Sequence, residues 1–369
     1  MRVRYSPLAQ QYANPEPIFD ELRELVRTGD FTLGKAVGEF EEMFASMLGL
    51  KHAIGVGSGT DACKLPLKAL GVGSGDEVIT CANTFWATVG AIAEVGAKPV
   101  FVDCDDSFCM DVGRLEAAMT PRTKAIMPVH LTGDVADMPR IMQIAAQRGL
   151  PVVEDACQSL LGEIDGRQAG TFGIASAFSM HPLKVINVWG DAGIVVTNDG
   201  EMDRKLRLLR NHGLRNRDEM VILGYNTRLD SVQAVVGKYI VRQTRDIVVK
   251  RAQNAAYYDA GFRHISGVRI PPRNPRTRHV YLLYVLFAER RDKLLQHCIE
   301  HGIEAKVHYP IPLYQQEALR FLGYKPGAFP VTDRHAQECI TFPVDQHLSR
   351  TEMDYIIETV RNFYTGKRP

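Results

Sequence analysis

The chain has 369 residues, of which 45% are hydrophobic and 24% charged, an ordinary globular composition with length for one large domain and a smaller one. Lys+Arg (44) and Asp+Glu (43) nearly cancel, so no basic field argues for nucleic acid or an anionic membrane as partner. No apolar run approaches the roughly 18 residues of a membrane span, and the N-terminal MRVRYSPLAQQYANPEP lacks the apolar core of a signal peptide. Of the 7 scattered cysteines only Cys104 and Cys109 lie close together, with a spacing that matches no common zinc pattern. We therefore expect reduced thiols, no metal centre and a cytoplasmic location.

From about residue 50 to 200, β-branched runs alternate with helical stretches. HAIGVG (52–57), DEVIT (76–80), KPVFVD (98–103), KAIMPVH (124–130) and PVVEDA (151–156) read as strands. DACKLPLKAL, ATVGAIAEVG, VGRLEAAM and MPRIMQIAAQRG read as the helices between them. That rhythm predicts a doubly wound, mostly parallel α/β sheet with ligands beyond the carboxyl ends of its strands. After residue 228, RLDSVQAVVGKYIVRQTRDIVVKRAQNAAYYDAGF predicts one or two long helices leading into a smaller α+β domain. VYLLYVLF (280–287) and KVHYPIPLY (306–314) would supply its strands. We place the large domain at 1–240 and the small one at 241–369, with a soft boundary near 235–250.

The string GVGSG occurs at 55–59 and again at 71–75. The first copy follows a strand and opens a helix, so backbone N–H groups and the positive helix end converge as a phosphate cradle, to which Thr60 can add a hydroxyl. The second closes a helix before a strand and reads as a turn with a C-cap glycine. A nicotinamide-binding loop is the rival reading of the first copy. Its spacing differs from G-x-G-x-x-G, and the acidic pair Asp76–Glu77 starts the next strand instead of ending it.

Two further segments converge on the same end of the sheet. PVVEDACQS ends a strand with Glu154 and Asp155, either of which could instead cap a helix. FSMHPLKVINVWGDAGIVVTND (178–199) holds a lone lysine, Lys184, in a mostly apolar stretch. A surface charge is the plain reading of such a lysine. A phosphate cradle, a strand-end aspartate and a downstream lysine together point to pyridoxal 5′-phosphate, with the lysine bonded to the cofactor and the carboxylate keeping its ring nitrogen protonated.

These segments resemble the DegT/DnrJ/EryC1/StrS sugar aminotransferases, which have the aspartate-aminotransferase type of fold (fold type I). The resemblance runs through FEEMFASMLGL (40–50), SGTDA (58–62), GDEVI (75–79), NTFWAT (83–88), GAKPVFVD (96–103) and TKAIMPVHLTG (123–133). It continues through VEDACQS (153–159), FSMHPLK with GDAG (178–193), LLRNHG (208–213), GYNTRLD (224–230) and HYPIPLY (308–314). It implies a dimeric transaminase that moves an amino group from an amino acid, L-glutamate above all, to a keto-sugar linked to a nucleotide.

The resemblance also implies roles. Lys184 would hold the cofactor, Asp155 would pair with the ring nitrogen, and Gln158 would lie beside the ring. Gly59, Thr60 and Ser179 would contact the phosphate, Phe85 would stack on the ring, and Asn226 would reach the phosphate from the other subunit, making shared active sites. His181, His308 and Tyr309 are substrate candidates, with a packing role as the alternative for His181 and likewise for His130. Arg228 is a phosphate or donor-carboxylate ligand, or a structural salt bridge. The departures from the pattern are Trp86 beside the stacking position, Cys157, Ala192, and Thr132 with Asp134. A dehydratase of the same family carries histidine in place of the lysine, so Lys184 favours transamination. A nicotinamide oxidoreductase and a noncatalytic sugar-nucleotide binder remain as alternatives from other classes.

Overall fold

The computed structural model describes residues 1–366. Strands β1 (His52–Val56), β2 (Glu77–Cys81), β3 (Lys98–Val102), β4 (Thr123–Met127), β5 (Val153–Asp155), β6 (Ala175–Ser179) and β7 (Gly193–Thr197) build the main sheet. β2 pairs in parallel with β3 and β4, and β5 with β6. Parallel bridges Ile126–Val152 and Val129–Asp155 join the two sets. β7 runs antiparallel between β6 and β1, so the order is β3-β2-β4-β5-β6-β7-β1. The sheet is the mostly parallel, doubly wound one the alternation predicts, with β7 as the antiparallel exception.

Every residue of β2 and β7 is buried, as a sheet covered on both faces requires. Successive side chains of β7 enter different cores. Ile194 and Val196 pack with Phe40 and Phe44 of the helix Lys35–Leu48, and Val195 packs with Leu65 of the helix Gly59–Ala69. The sheet is thus held between two apolar layers, which leaves its strand ends free to carry polar chemistry.

Beyond residue 240, Val268–Arg269, Tyr284–Ala288 and Cys339–Phe342 form an antiparallel sheet. It packs through Tyr284 and Phe342 on Tyr258 and Phe262 of the helix Thr244–Phe262. The long helical segment is two helices, Ser231–Val241 and Thr244–Phe262, broken at Arg242–Gln243.

Three local expectations are corrected. VGRLEAAM forms two 3₁₀ turns, Val112–Arg114 and Glu116–Ala118, because the Asp111 carboxylate takes the Gly113 N–H and fixes a tight turn. In 280–287 the strand begins only at Tyr284, since Val280 and Leu283 donate their N–H groups to Gly133 and Thr132 of the large domain. KVHYPIPLY keeps a single bridge, Lys306–Thr341; Pro310 and Pro312 lack the donors a ladder needs.

Candidate active site

The carboxyl ends of β1, β5 and β6 open into a cavity of about 610 Å³. Gly59, Thr60, Phe85, Asp155, Gln158, Ser179, His181, Lys184, His308 and Tyr309 all line it. The sequence scatters these side chains over more than half its length, and strand-end placement gathers them.

The cradle is built first. Ser58 is the N-cap of the helix Gly59–Ala69: its Oγ accepts the Asp61 N–H at 3.1 Å and donates to the Asp61 carboxylate at 2.8 Å. Gly59 is required by close approach, since a Cβ there would lie 2.6 Å from the Ser179 Cβ. The helix end, the Thr60 side chain and Ser179 therefore face one small space. That is a cradle of N–H and hydroxyl donors, the kind of group that holds a phosphate.

Glu154 and Asp155 point to opposite faces of β5, as neighbours on a strand must. Glu154 is wholly structural. It accepts the N–H groups of Gly170, Phe172 and Gly173 at 2.7–2.8 Å and the Ser176 hydroxyl at 3.0 Å. His130 Nε2 lies 3.0 Å from it, and Ala136 donates to His130 Nδ1, so His130 is a packing residue outside the cavity. Burial pushes the Glu154 carboxyl up, but the hydrogen bonds from His130 and the backbone hold it below its ordinary range. Asp155 faces the cavity, where Thr88 donates to its Oδ2 at 2.7 Å and the Cys157 N–H lies 3.2 Å from Oδ1. No helix follows for it to cap.

Lys184 sits in the excursion between β6 and β7, whose ends are tied by the pairing of Ser179 with Gly193. Burial lowers its pKa from the ordinary lysine value, while Cys157, Asp155 and Cys63 draw it back up. Burial thus loosens the amine's hold on its proton, and the nearby Asp155 carboxylate opposes that loss. Cys63, Asp155 and Cys157 bring their ligand atoms within 4.8 Å of one another. The hydrogen bond with Cys157, then burial, raise the Cys63 thiol well above its usual value.

Gln158 is held by the Thr132 N–H, 2.9 Å from its Oε1; Thr132 itself and Asp134 do not line the cavity. Phe85 and Trp86 stand 4.4 Å apart, with the Tyr309 ring 6.0 and 5.6 Å from them. Burial, then the charges of Lys306 and Lys184, push His308 down to about 4, so it is neutral. Burial first, then the Lys184 charge, also lowers His181. Asn226 and Arg228 are not gathered with the rest. They line a second, polar cavity of about 330 Å³, where Arg228 donates to Asn211 Oδ1 at 3.1 Å. Thr88 was missed as the group that orients Asp155, although it stands in the same NTFWAT segment as Phe85.

The donor cradle, the opposed carboxylate and the lysine with a lowered pKa fit pyridoxal phosphate, and with this strand order they define an enzyme of fold type I that uses that cofactor. The chain belongs to the DegT/DnrJ/EryC1/StrS aminotransferase family, whose model matches residues 14–361. It is 40% identical to dTDP-3-amino-3,4,6-trideoxy-alpha-D-glucose transaminase of Micromonospora megalomicea subsp. nigra, over 95% of this chain and 95% of that protein. It is 39% identical to the pleiotropic regulatory protein of Geobacillus stearothermophilus, over 99% of each chain. Among solved structures, DesV of S. venezuelae in complex with a ketimine intermediate matches with a TM-score of 0.96 at 34% identity, covering 100% of this chain and 99% of that one. Other similar structures hold the cofactor in its PLP or PMP form. The protein is a pyridoxal-phosphate-dependent sugar aminotransferase, and the oxidoreductase and noncatalytic alternatives fall away. No helix among the described residues is long and apolar enough to cross a membrane.

Proposed function

We propose that this aminotransferase takes its amino group from L-glutamate and delivers it to a nucleotide-linked keto-sugar, as a cytoplasmic homodimer whose two chains share each active site. One observation carries the reading: the Lys184 amine, the Asp155 carboxylate and the N-terminus of the helix Gly59–Ala69 line the same cavity. The nucleotide link is supported by relatives named as transaminases of dTDP- and UDP-sugars. We take residues 1–240 as the cofactor-binding domain and 241–369 as the small one, its last three residues lying outside the described ones; this is supported by the core around Tyr258, which apart from Val3 is built from residues beyond 250.

When bound, pyridoxal phosphate supplies an aldehyde carbon for amine exchange and a ring that accepts electrons. The chain's residues supply position and proton transfer. Lys184 holds the cofactor and, as a free amine, moves a proton to and from the donor's α-carbon; its lowered pKa suits a general base. Asp155, oriented by Thr88, holds the proton on the ring nitrogen. Gly59, Thr60 and Ser179 bind the phosphate, Phe85 covers the ring, and Gln158 lies beside it. His181, His308 and Tyr309 contact substrate. Asn226 serves the partner's phosphate, and Arg228 beside it serves a phosphate or the donor's carboxylate. Their place in a separate cavity lined also by exposed Phe31 supports this.

The test is a visible spectrum of the purified protein, titrated with L-glutamate and then with a panel of keto-sugars. Lys184→Ala should stay folded and lose turnover. Borohydride reduction that labelled a different lysine would sink the assignment. Mixing Lys184→Ala with Asn226→Ala chains should restore activity through heterodimers with one intact site; heterodimers without recovery would refute the shared site.

A further inference from the structure

One end of the Lys184 cavity is closed by residues that the cofactor reading leaves unused. Val3 bridges to Ile303, and the chain then crosses to the helical turn Leu8–Gln11, so Tyr5 and Gln11 both line the cavity. Arg251, from the helix Thr244–Phe262, and Gln346 line it beside them, and among the described residues Arg251 is the one arginine on the wall.

The hydrogen bonding at this end is incomplete. Gln11 is 8% exposed; its Oε1 accepts from Asn187 Nδ2 and Gln346 Nε2, each at 3.2 Å, while its own Nε2 has no partner. The Tyr5 Oη is buried and unpartnered too. Arg251, also 8% exposed, donates only to neutral acceptors: Tyr281 O at 3.0 Å, Leu282 O at 2.9 Å and Gln346 Oε1 at 3.4 Å. The Lys306 ammonium lies 4.3 Å over the Tyr5 ring and adds positive charge. Buried donors are costly to leave unpaired; the Asp345 carboxylate offsets the Arg251 charge through space without a hydrogen bond to it.

We propose that Tyr5, Gln11 and Arg251 form the subsite that takes a carboxylate of the amino-acid donor. Two unpartnered donors and a guanidinium make a donor-rich set, and a carboxylate is acceptor-only. A sugar hydroxyl both donates and accepts; the buried unpartnered groups at this end are the Gln11 amide N–H, the Tyr5 hydroxyl, which can donate or accept, and Asp345 Oδ2, whose other oxygen already takes the His347 N–H at 2.8 Å. The subsite is near the reacting amine: the Tyr5 and His308 rings are 6.0 Å apart, and His308 senses the Lys184 charge. The proposal rests on the amino-acid donor reading, but not on glutamate in particular.

The experiment follows the donor half-reaction of the cofactor-loaded enzyme by absorbance, with L-glutamate, L-glutamine and L-alanine, beside calorimetric binding of glutarate, an unreactive dicarboxylate. Tyr5→Phe removes one hydroxyl and should raise the half-saturating donor concentration about tenfold. Gln11→Glu turns a donor into an anion and should raise it about fiftyfold or more. Both should leave the limiting rate within about threefold and the melting temperature unchanged, and should weaken glutarate in step. Arg251→Lys is the third variant, since Arg251 also holds two backbone carbonyls. A shift shared by L-alanine assigns the α-carboxylate, and one confined to L-glutamate assigns the side-chain carboxylate; either supports the subsite. Wild-type saturation in the variants overturns it, as does a parallel loss of limiting rate and melting temperature. Variants that weaken only the keto-sugar half-reaction overturn it in favour of a sugar subsite. A wild-type enzyme inert to every amino acid overturns the donor reading as well, whereas wild-type turnover with unaltered variants removes the subsite alone.

Discussion

The two copies of GVGSG bracket one helix, Gly59–Ala69, and they do opposite things. The first copy opens it. There the backbone is crowded: a Cβ on Gly55 would lie 2.7 Å from Leu229 and one on Gly59 2.6 Å from Ser179. Neither residue needs a left-handed backbone; each is glycine because another part of the chain occupies the space. The second copy closes the helix. Gly71 and Gly75 have φ of +75° and +89°, and nothing lies within 4 Å of an added Cβ. Gly71 donates to Lys68 O and Val72 to Leu67 O, the paired bonds of a left-handed helix stop. The same five residues thus serve close approach at one end and backbone handedness at the other. A helix N-terminus offers free N–H groups to an anion, and a C-terminus offers carbonyls that repel one.

Substitutions can separate the two copies. The largest effect is expected at Gly59→Ala, where the new methyl must displace Ser179. Cofactor affinity should fall by about 2 kcal/mol, roughly thirtyfold, read by equilibrium titration of cofactor-free protein with pyridoxal phosphate. Wild-type affinity there would show that the crowding is irrelevant to the cradle. Gly75→Ala should act on the fold alone, costing about 1.5 kcal/mol for a left-handed alanine. Chemical denaturation would register the loss while cofactor affinity stays within about twofold; a large affinity loss would erase the contrast between the copies. Ser58→Ala removes the N-cap and should cost about 1 kcal/mol of stability, again seen in denaturant midpoints, with a smaller weakening of cofactor binding because the first turn frays. Ser74→Ala, at the matching position of the second copy, is exposed and should change stability by under about 0.5 kcal/mol. An effect equal to that of Ser58→Ala would mean the second serine also caps.

Much of the site was legible because its residues sit at strand ends, and strands declare themselves through β-branched runs. Gly59, Asp155 and Lys184 each follow or lie near such a run, and alternation along β5 is enough to separate a buried structural Glu154 from a cavity-facing Asp155. The failures share a cause. KVHYPIPLY looked like strand by composition, but its prolines cannot join a ladder and its residues close the cavity instead. The N-terminal MRVRYSPLAQQY was read only for what it lacks, since nothing local tells that Tyr5 and Gln11 reach a cavity lined by Lys184. Arg251 is one cation in a helix rich in them, and its burial depends on what packs over it.

The sequence by itself determined the alternation of strands and helices, the cradle at the start of the helix Gly59–Ala69, and the lysine and aspartate proposed to carry the chemistry. Those are local properties: hydrophobic period, capping and glycine placement act over a few residues and can be read over a few residues. Only the tertiary structure decided that Thr88 orients Asp155, that Asn226 and Arg228 stand in a cavity apart from Lys184, and that the first residues of the chain wall the site. Those are contacts between segments far apart in the chain, set by which surfaces bury one another, and no short window of residues contains both partners.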